Sequence, residues 1–169
     1  MRQGYQLHED QGVEERLLAW AESQKKEIIE IESSLAQLQL ISGFSNDLSM
    51  WILEDTLATT GQEYWESTAE LYELWCEGNE EKLRAEIADT WGEMTEEEKT
   101  KYQPLMEEYN KGMSFDRNEG MLKAAIEYLE SDNVVFYAVG LAHLLDSTNG
   151  LVDALQQAGY TVELVQYAG

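Results

Sequence analysis

Two residues that can do hydrolytic chemistry, Glu32 and His143, follow two apolar segments of this sequence. The segment EIIEIE ends on Glu32, and the segment VVFYAVG is followed by LAH, which puts His143 three residues after Gly140. A carboxylate and an imidazole can act together as general base and acid, and both ligate divalent metals. One Glu and one His make an incomplete metal site, however, and a histidine in a polar turn is more often structural.

A third residue, Arg117 in SFDRNEGM, is expected just before or within the helix that leads to the histidine segment. Its functional interpretation is a clamp for an anion, or a partner that orients Glu32. The structural interpretation is that Arg117 forms an ion pair with one of the many surface carboxylates. The sequence contains no glycine-rich phosphate loop and no nucleophile elbow, so it offers no complete catalytic constellation of its own.

The elements that must position these residues are predicted from hydrophobic spacing. Apolar runs predict buried strands at 27–32, 133–140 and 160–167, with helical spacing between them. Strand, helix, strand order favours parallel pairing, and ligands collect beyond the carboxyl ends of parallel strands. We therefore expect an α/β fold, with a small parallel or mixed sheet, flanking helices, and a large all-helical insertion at about 45–110 between the first and second strands.

Local signals also predict where single helices begin. Ser33 or Ser34 is expected to cap a helix that follows the first strand. The stretch TEEE at 95–98 has the pattern of a capping box. These signals set helix boundaries independently of any sheet.

Composition restricts the partners. The chain has 34 acidic and 11 basic side chains among 169 residues and a net charge of −23. Such a charge opposes binding to phosphate backbones, so nucleic acid is not an expected partner. No segment approaches the ~20 apolar residues that span a bilayer, so no membrane span is expected. With 43% hydrophobic residues the chain has material for a core, and we expect a single domain over 1–169.

Three stretches, IEIES, DRN and AVGLAHLLDSTNGLVDALQQAGYTVELV, together resemble the TraB/GumN family, which is related to the Tiki proteases. The closing signature of that family is an apolar strand, GxxH, Leu, a short polar turn with Gly, an amphipathic helix, then Gly, Tyr and a strand. Its middle signature is an acidic residue, Arg and Asn, which Asp116, Arg117 and Asn118 match. Family members carry a first GxxH near their amino terminus, and none occurs here ahead of Gly140. The resemblance therefore implies the carboxyl-terminal portion of a longer protein.

The resemblance further implies a metal-dependent hydrolase of peptidase type that acts on a peptide or protein substrate. Carried over residue by residue, it makes Glu32, Arg117 and His143 catalytic, with Glu32 and His143 as ligands of a divalent metal ion. Asn118 and Gly140 support the motifs. Because the first GxxH is missing, we expect no turnover by this chain alone. Full-length relatives are implied to act outside the cytoplasm or at a membrane.

The competing hypothesis is a non-enzymatic module that binds a protein or peptide and forms homo-oligomers. Removal of part of a sheet exposes an edge and apolar surface, which self-association can cover. The sequence leaves both hypotheses open.

Overall fold

The fold is known from a computed structural model, which describes residues 12–88 and 94–165. Helices hold 70% of these residues. In chain order they are α1 Val13–Ser23, α2 Ser34–Ser42, α3 Asn46–Ala58, α4 Gly61–Glu77, α5 Glu80–Ala88, α6 Glu96–Asn110, a π-helical turn Lys111–Phe115, α7 Asp116–Leu129, α8 Leu141–Leu145 and α9 Leu151–Gln157. Because α6, the π-helical turn and α7 are contiguous, they form one long helical stretch that ends at Leu129.

Side-chain caps explain why several helices begin where they do. The Ser33 hydroxyl accepts a hydrogen bond from the Ala36 amide at 3.1 Å, which opens α2 as predicted. The predicted capping box at Thr95 is confirmed, because the Thr95 side chain accepts from the Glu98 amide and the Glu98 carboxylate accepts from the Thr95 amide. Each cap satisfies amides that a helix start leaves without partners.

The predicted sheet is wrong. The described residues contain no strand, and the segments 27–31, 134–139 and 161–165 form no backbone hydrogen bond with any of them. Several of their apolar side chains are exposed, among them Val134, which is fully exposed, and Phe136, which is 76% exposed. The fold class in the described ranges is therefore all-helical, not α/β.

The physical reason lies in what a strand needs. An apolar, β-branched run favours extended backbone and burial, but it becomes a strand only where a neighbour offers amide donors and carbonyl acceptors. Here the three runs do not pair with one another. An all-helical insertion between two strands is thus also ruled out, although α3 to α6 occupy the positions where the sequence predicted helices.

A small helical core carries the packing. α7 packs against α9, α8 against both α5 and α9, and α3 against α6. Arg84 of α5 reinforces this cluster, since its guanidinium donates to both Asp153 carboxylate oxygens at 2.9 and 3.1 Å and to the Leu145 carbonyl at 3.3 Å. Within 12–88 and 94–165, no helix combines the length and apolar character that crossing a bilayer requires. The buried apolar residues of the helical core are Leu48, Leu83, Met106, Met121, Ala125, Leu145 and Leu151.

Gly150 closes the turn between α8 and α9 at a point where no side chain fits. A Cβ atom added there would lie 2.5 Å from the Asp146 carbonyl oxygen and 2.8 Å from both the Asp146 nitrogen and the Leu144 carbonyl oxygen. These are backbone atoms, which cannot rotate away as a flexible side chain does. The glycine of the polar turn is therefore required by space.

Gly150→Ala is expected to lower the free energy of unfolding by about 3 kcal/mol, because overpacking against backbone must displace α8 or α9. Urea unfolding followed by circular dichroism measures the change. Gly61→Ala is the matched control, since a Cβ at Gly61 meets nothing within 4 Å. Equal unfolding midpoints for the two variants would contradict the steric argument.

Candidate functional site

A bidentate ion pair joins Arg117 to Glu32. Arg117 Nε lies 2.9 and 3.1 Å from the two Glu32 carboxylate oxygens, and Nη2 lies 2.7 Å from Oε2. The Arg117 side chain is 19% exposed and the Glu32 side chain 21% exposed. A paired, partly buried carboxylate of this kind is held in one orientation. Residues 85 positions apart in the chain thus meet at this site.

The neighbouring residue, Asn118, holds His143. The Asn118 side-chain oxygen lies 2.6 Å from His143 Nδ1, and its amide nitrogen donates to the backbone and side-chain oxygens of Asn149 at 3.2 and 3.1 Å. Because the Asn118 oxygen can only accept, Nδ1 must carry the proton. In the neutral ring, Nε2 of His143 is then the basic nitrogen.

Two successive residues of α7 reach different neighbours because of helix geometry. At 3.6 residues per turn, Arg117 and Asn118 point about 100° apart. Arg117 thereby meets Glu32, which lies between α1 and α2, while Asn118 meets His143 in α8. One turn of helix is enough to bring both halves of the candidate site together.

The π-helical turn before α7 supplies acceptors to the same site. The Met113 carbonyl accepts from Arg117 Nη1 at 3.2 Å, and the Phe115 carbonyl accepts from the Asn149 side-chain amide at 3.0 Å. A π turn widens the helix and is frequent at functional sites. Here its carbonyls steady Arg117 and Asn149, which the sequence alone did not indicate.

Gly140 opens the short helix that carries His143. Its carbonyl accepts a hydrogen bond from the His143 amide at 3.0 Å, so the GxxH spacing forms the first turn of α8. A Cβ at Gly140 would lie 3.7 Å from His143 Cδ2, which is ordinary van der Waals contact. A side chain at Gly140 would therefore clash with none of the described residues.

The electrostatics of the site favour an ionised carboxylate beside a neutral imidazole. Hydrogen bonds from Arg117 lower the pKa of Glu32, and burial opposes them. Burial, and next the positive charge of Arg117, lower the pKa of His143, while Glu32 and Asp146 act in the opposite direction. At neutral pH, His143 is therefore ready to accept a proton.

Two further residues belong to the site although the sequence analysis did not select them. Asn149 links Asn118 to the π-helical turn, and its Asn-Gly dipeptide is a turn signal that marked the position but not its role. The Tyr137 hydroxyl donates to the Met121 carbonyl at 2.7 Å. Burial, with smaller contributions from Tyr128 and Glu32, raises the pKa of Tyr137 to about 12. Tyr137 is therefore a neutral donor near the carboxylate.

The described residues do not by themselves fit a divalent metal ion. In 12–88 and 94–165, no three or more His, Cys, Asp or Glu side chains converge. Both carboxylate oxygens of Glu32 already accept from Arg117. A catalytic metal site in proteins takes about three protein ligands. Glu32 and His143 supply two at most.

Comparison with known families decides the relationship of the chain. A sequence model of the TraB/PrgY/gumN family matches residues 1–164, nearly the whole chain. The chain belongs to the TraB/PrgY/gumN family. The assignment made from the residues is thereby confirmed, and the matched range includes Glu32, Arg117, Asn118, Gly140 and His143. Searches of curated proteins and of solved structures gave no match.

In this TraB/PrgY/gumN protein, Arg117→Gln is expected to raise the pKa of both Glu32 and His143. The variant removes the hydrogen bonds and charge that favour the ionised carboxylate, and the positive charge that opposes imidazolium. NMR titration of the Glu32 carboxyl carbon and the His143 ring measures both values. Arg84→Gln, which breaks an arginine pair elsewhere, is the control. An unchanged His143 pKa in Arg117→Gln would contradict the electrostatic account.

The lowered pKa values of Glu32 and His143 make the free energy of unfolding smaller in acid. Because the folded pKa of His143 lies below its ordinary 6.5, its stabilisation is complete above about pH 6.5 and declines as the pH falls toward the folded value. Glu32 adds stability above about pH 4.5 that is lost as the pH falls through its lowered pKa. Arg117→Gln should flatten both declines.

Proposed function

We propose that Glu32, Arg117, Asn118 and His143 form one half of a hydrolase site, of peptidase type, that acts on an amide or ester carbonyl. The observation that carries this proposal is the fixed, neutral imidazole. His143 Nδ1 is bound to Asn118, its Nε2 is the basic nitrogen, and its pKa is lowered. A base of this kind suits proton abstraction from water near neutral pH.

The chemistry assigned to these residues has two parts. His143 Nε2 takes a proton from the attacking water as the water oxygen bonds to the carbonyl carbon. His143 then returns the proton to the leaving amine or alcohol as the carbon–nitrogen or carbon–oxygen bond breaks. Arg117 uses three of its five N–H groups on Glu32 and Met113, and the other two donate to no described residue. Those two would stabilise the oxyanion that develops on the carbonyl.

The resemblance also implies a divalent metal, which would polarise the carbonyl or activate water. As the alternative to the base, we propose that such an ion takes Glu32 and Nε2 of His143 as two ligands and needs further ligands from beyond the described residues, in which case His143 is a ligand and not the base. The first GxxH motif of the family would be their source. No step above depends on the ion.

In the complete natural protein, His143→Ala is expected to lower kcat at least about 100-fold, which is the usual contribution of a general base. Cleavage of a mixed fluorogenic peptide library measures the rate. His8→Ala, at the other histidine of the chain, serves as the control. Hydrolysis that survives His143→Ala would remove His143 from the mechanism. Turnover by the isolated 169-residue chain would instead contradict the half-site.

A second candidate function, a self-associating binding module, is favoured by the segments 27–31, 134–139 and 161–165, which have exposed apolar side chains and no backbone hydrogen bonds among the described residues. Ile29 is 56% exposed and Leu164 is 65% exposed, and their backbones have no partners among the described residues. Such segments can pair with a strand of another polypeptide. A net charge of −23 on each copy repels a second copy, so self-association should depend on salt.

Sedimentation at tens of micromolar protein tests the self-association. We expect a monomer in about 0.01 M salt, where charges interact over about 30 Å, and a dimer in about 1 M salt, where the range falls to about 3 Å. Val134→Lys, which puts a charge on a fully exposed apolar position, should keep the chain monomeric in both. A wild-type monomer at both salt concentrations would count against this function.

A further inference from the structure

A cavity of about 260 Å³ opens beside the Glu32–Arg117 pair. Its wall is largely apolar, and it is bounded on one side by α7. The carboxylates that line it are already paired, since Glu32 binds Arg117 and Asp116 binds Lys111 at 2.5 Å. The cavity therefore presents no unpaired charge to a ligand. The residues that matter to its shape are Ile31, Ala36, Leu40, Gly112, Gly120 and Met121.

Gly120 lines this cavity and has no side chain to fill it. The backbone packing around Gly120 does not require a glycine at this position. A Cβ atom at Gly120 meets nothing within 4 Å, and glycine inside a helix is less favourable than alanine. Gly112, which lines the same cavity, is different, because its Cβ would lie 3.0 Å from side-chain carbons of both Leu40 and Phe44. Packing explains Gly112, but it does not explain Gly120.

The position of Gly120 relates the open space to the chemistry. It lies three residues after Arg117 in α7, so both face the same side of the helix. Met121, four residues after Arg117, supplies an apolar wall on that side. A substrate carbonyl bound by Arg117 would therefore bring the adjoining substituent to the mouth of the cavity.

Size decides what that substituent is. An apolar cavity of ~150 Å³ holds one benzene molecule, whereas sites for drug-sized ligands begin at ~300 Å³. We propose that the cavity is a subsite for one large apolar side chain of a peptide substrate, leucine or phenylalanine in kind, and that Gly120 determines this specificity. The inference rests on the proposed hydrolase function, for which it names the substrate class.

NMR titration of the 169-residue chain with N-acetylated amino-acid amides tests the subsite without requiring turnover. The leucine and phenylalanine amides should shift the resonances of Leu40, Gly120 and Met121, and should bind at least about 10-fold more tightly than the alanine amide. The glutamate amide should bind no better than the alanine amide, because no cation in the cavity is unpaired.

Variants of Gly120 provide the decisive comparison. Affinity for the leucine amide should fall in the order wild type, Gly120→Ala, Gly120→Leu, with Gly120→Leu at least about 10-fold weaker. Gly61→Leu is the matched control, because it adds the same side chain where nothing lies within 4 Å and outside the cavity, and it should bind as wild type does. The alanine variant adds one methyl group only, which keeps the test valid if the leucine variant misfolds.

Equal affinity for leucine and alanine amides, or unchanged affinity in both Gly120 variants, would overturn the subsite. This result is distinguishable from failure of the hydrolase proposal. If His143→Ala left cleavage unchanged while the chain still bound the leucine amide selectively, the cavity would be a recognition site and His143 would not be the catalyst. If cleavage were lost in His143→Ala but unchanged in the Gly120 variants, the hydrolase proposal would stand and the subsite proposal would fail.

Discussion

The ion pair between Arg117 and Glu32 is the interaction on which the site depends. Both side chains are only about one-fifth exposed, so loss of either partner leaves a charge with little solvent to compensate it. The pair also fixes where the segment after α1 lies relative to α7, because no backbone hydrogen bond ties residues 27–31 to any described residue. A side-chain contact thus does the positioning that a sheet would do in an α/β fold.

Next to that ion pair, the buried side chain of Asn118 has hydrogen-bond partners for both its oxygen and its nitrogen. It is 1% exposed, and its oxygen and nitrogen are both used, by His143 on one side and Asn149 on the other. Buried amides left without partners are costly, so this arrangement rigidly selects one orientation of Asn118 and one tautomer of His143. The hydrogen bonds that pair the buried Asn118 amide are therefore the same ones that leave Nε2 of His143 as the basic nitrogen.

Local signals in the sequence predicted more than long-range ones did. The caps at Ser33 and Thr95 depend on residues three positions apart, and both are present. The sheet depended on pairing between distant segments, which an apolar pattern favours but cannot specify, and it is absent from the described residues. The sequence grouped Glu32 with His143 through strand ends, whereas α7 brings them together through Arg117 and Asn118. The π-helical turn had no recognisable signal in the sequence.

The site and the uncovered segments are separable parts of the molecule. Glu32 follows the partly exposed run at 27–31 and His143 follows the partly exposed run at 134–139, yet both side chains are held from the α7 side. A strand that paired with those runs would bury their apolar side chains while the contacts of Arg117 and Asn118 stayed in place. The geometry of the imidazole and the carboxylate is therefore set by α7 without any cover over these segments, so pairing there would not have to assemble these four residues.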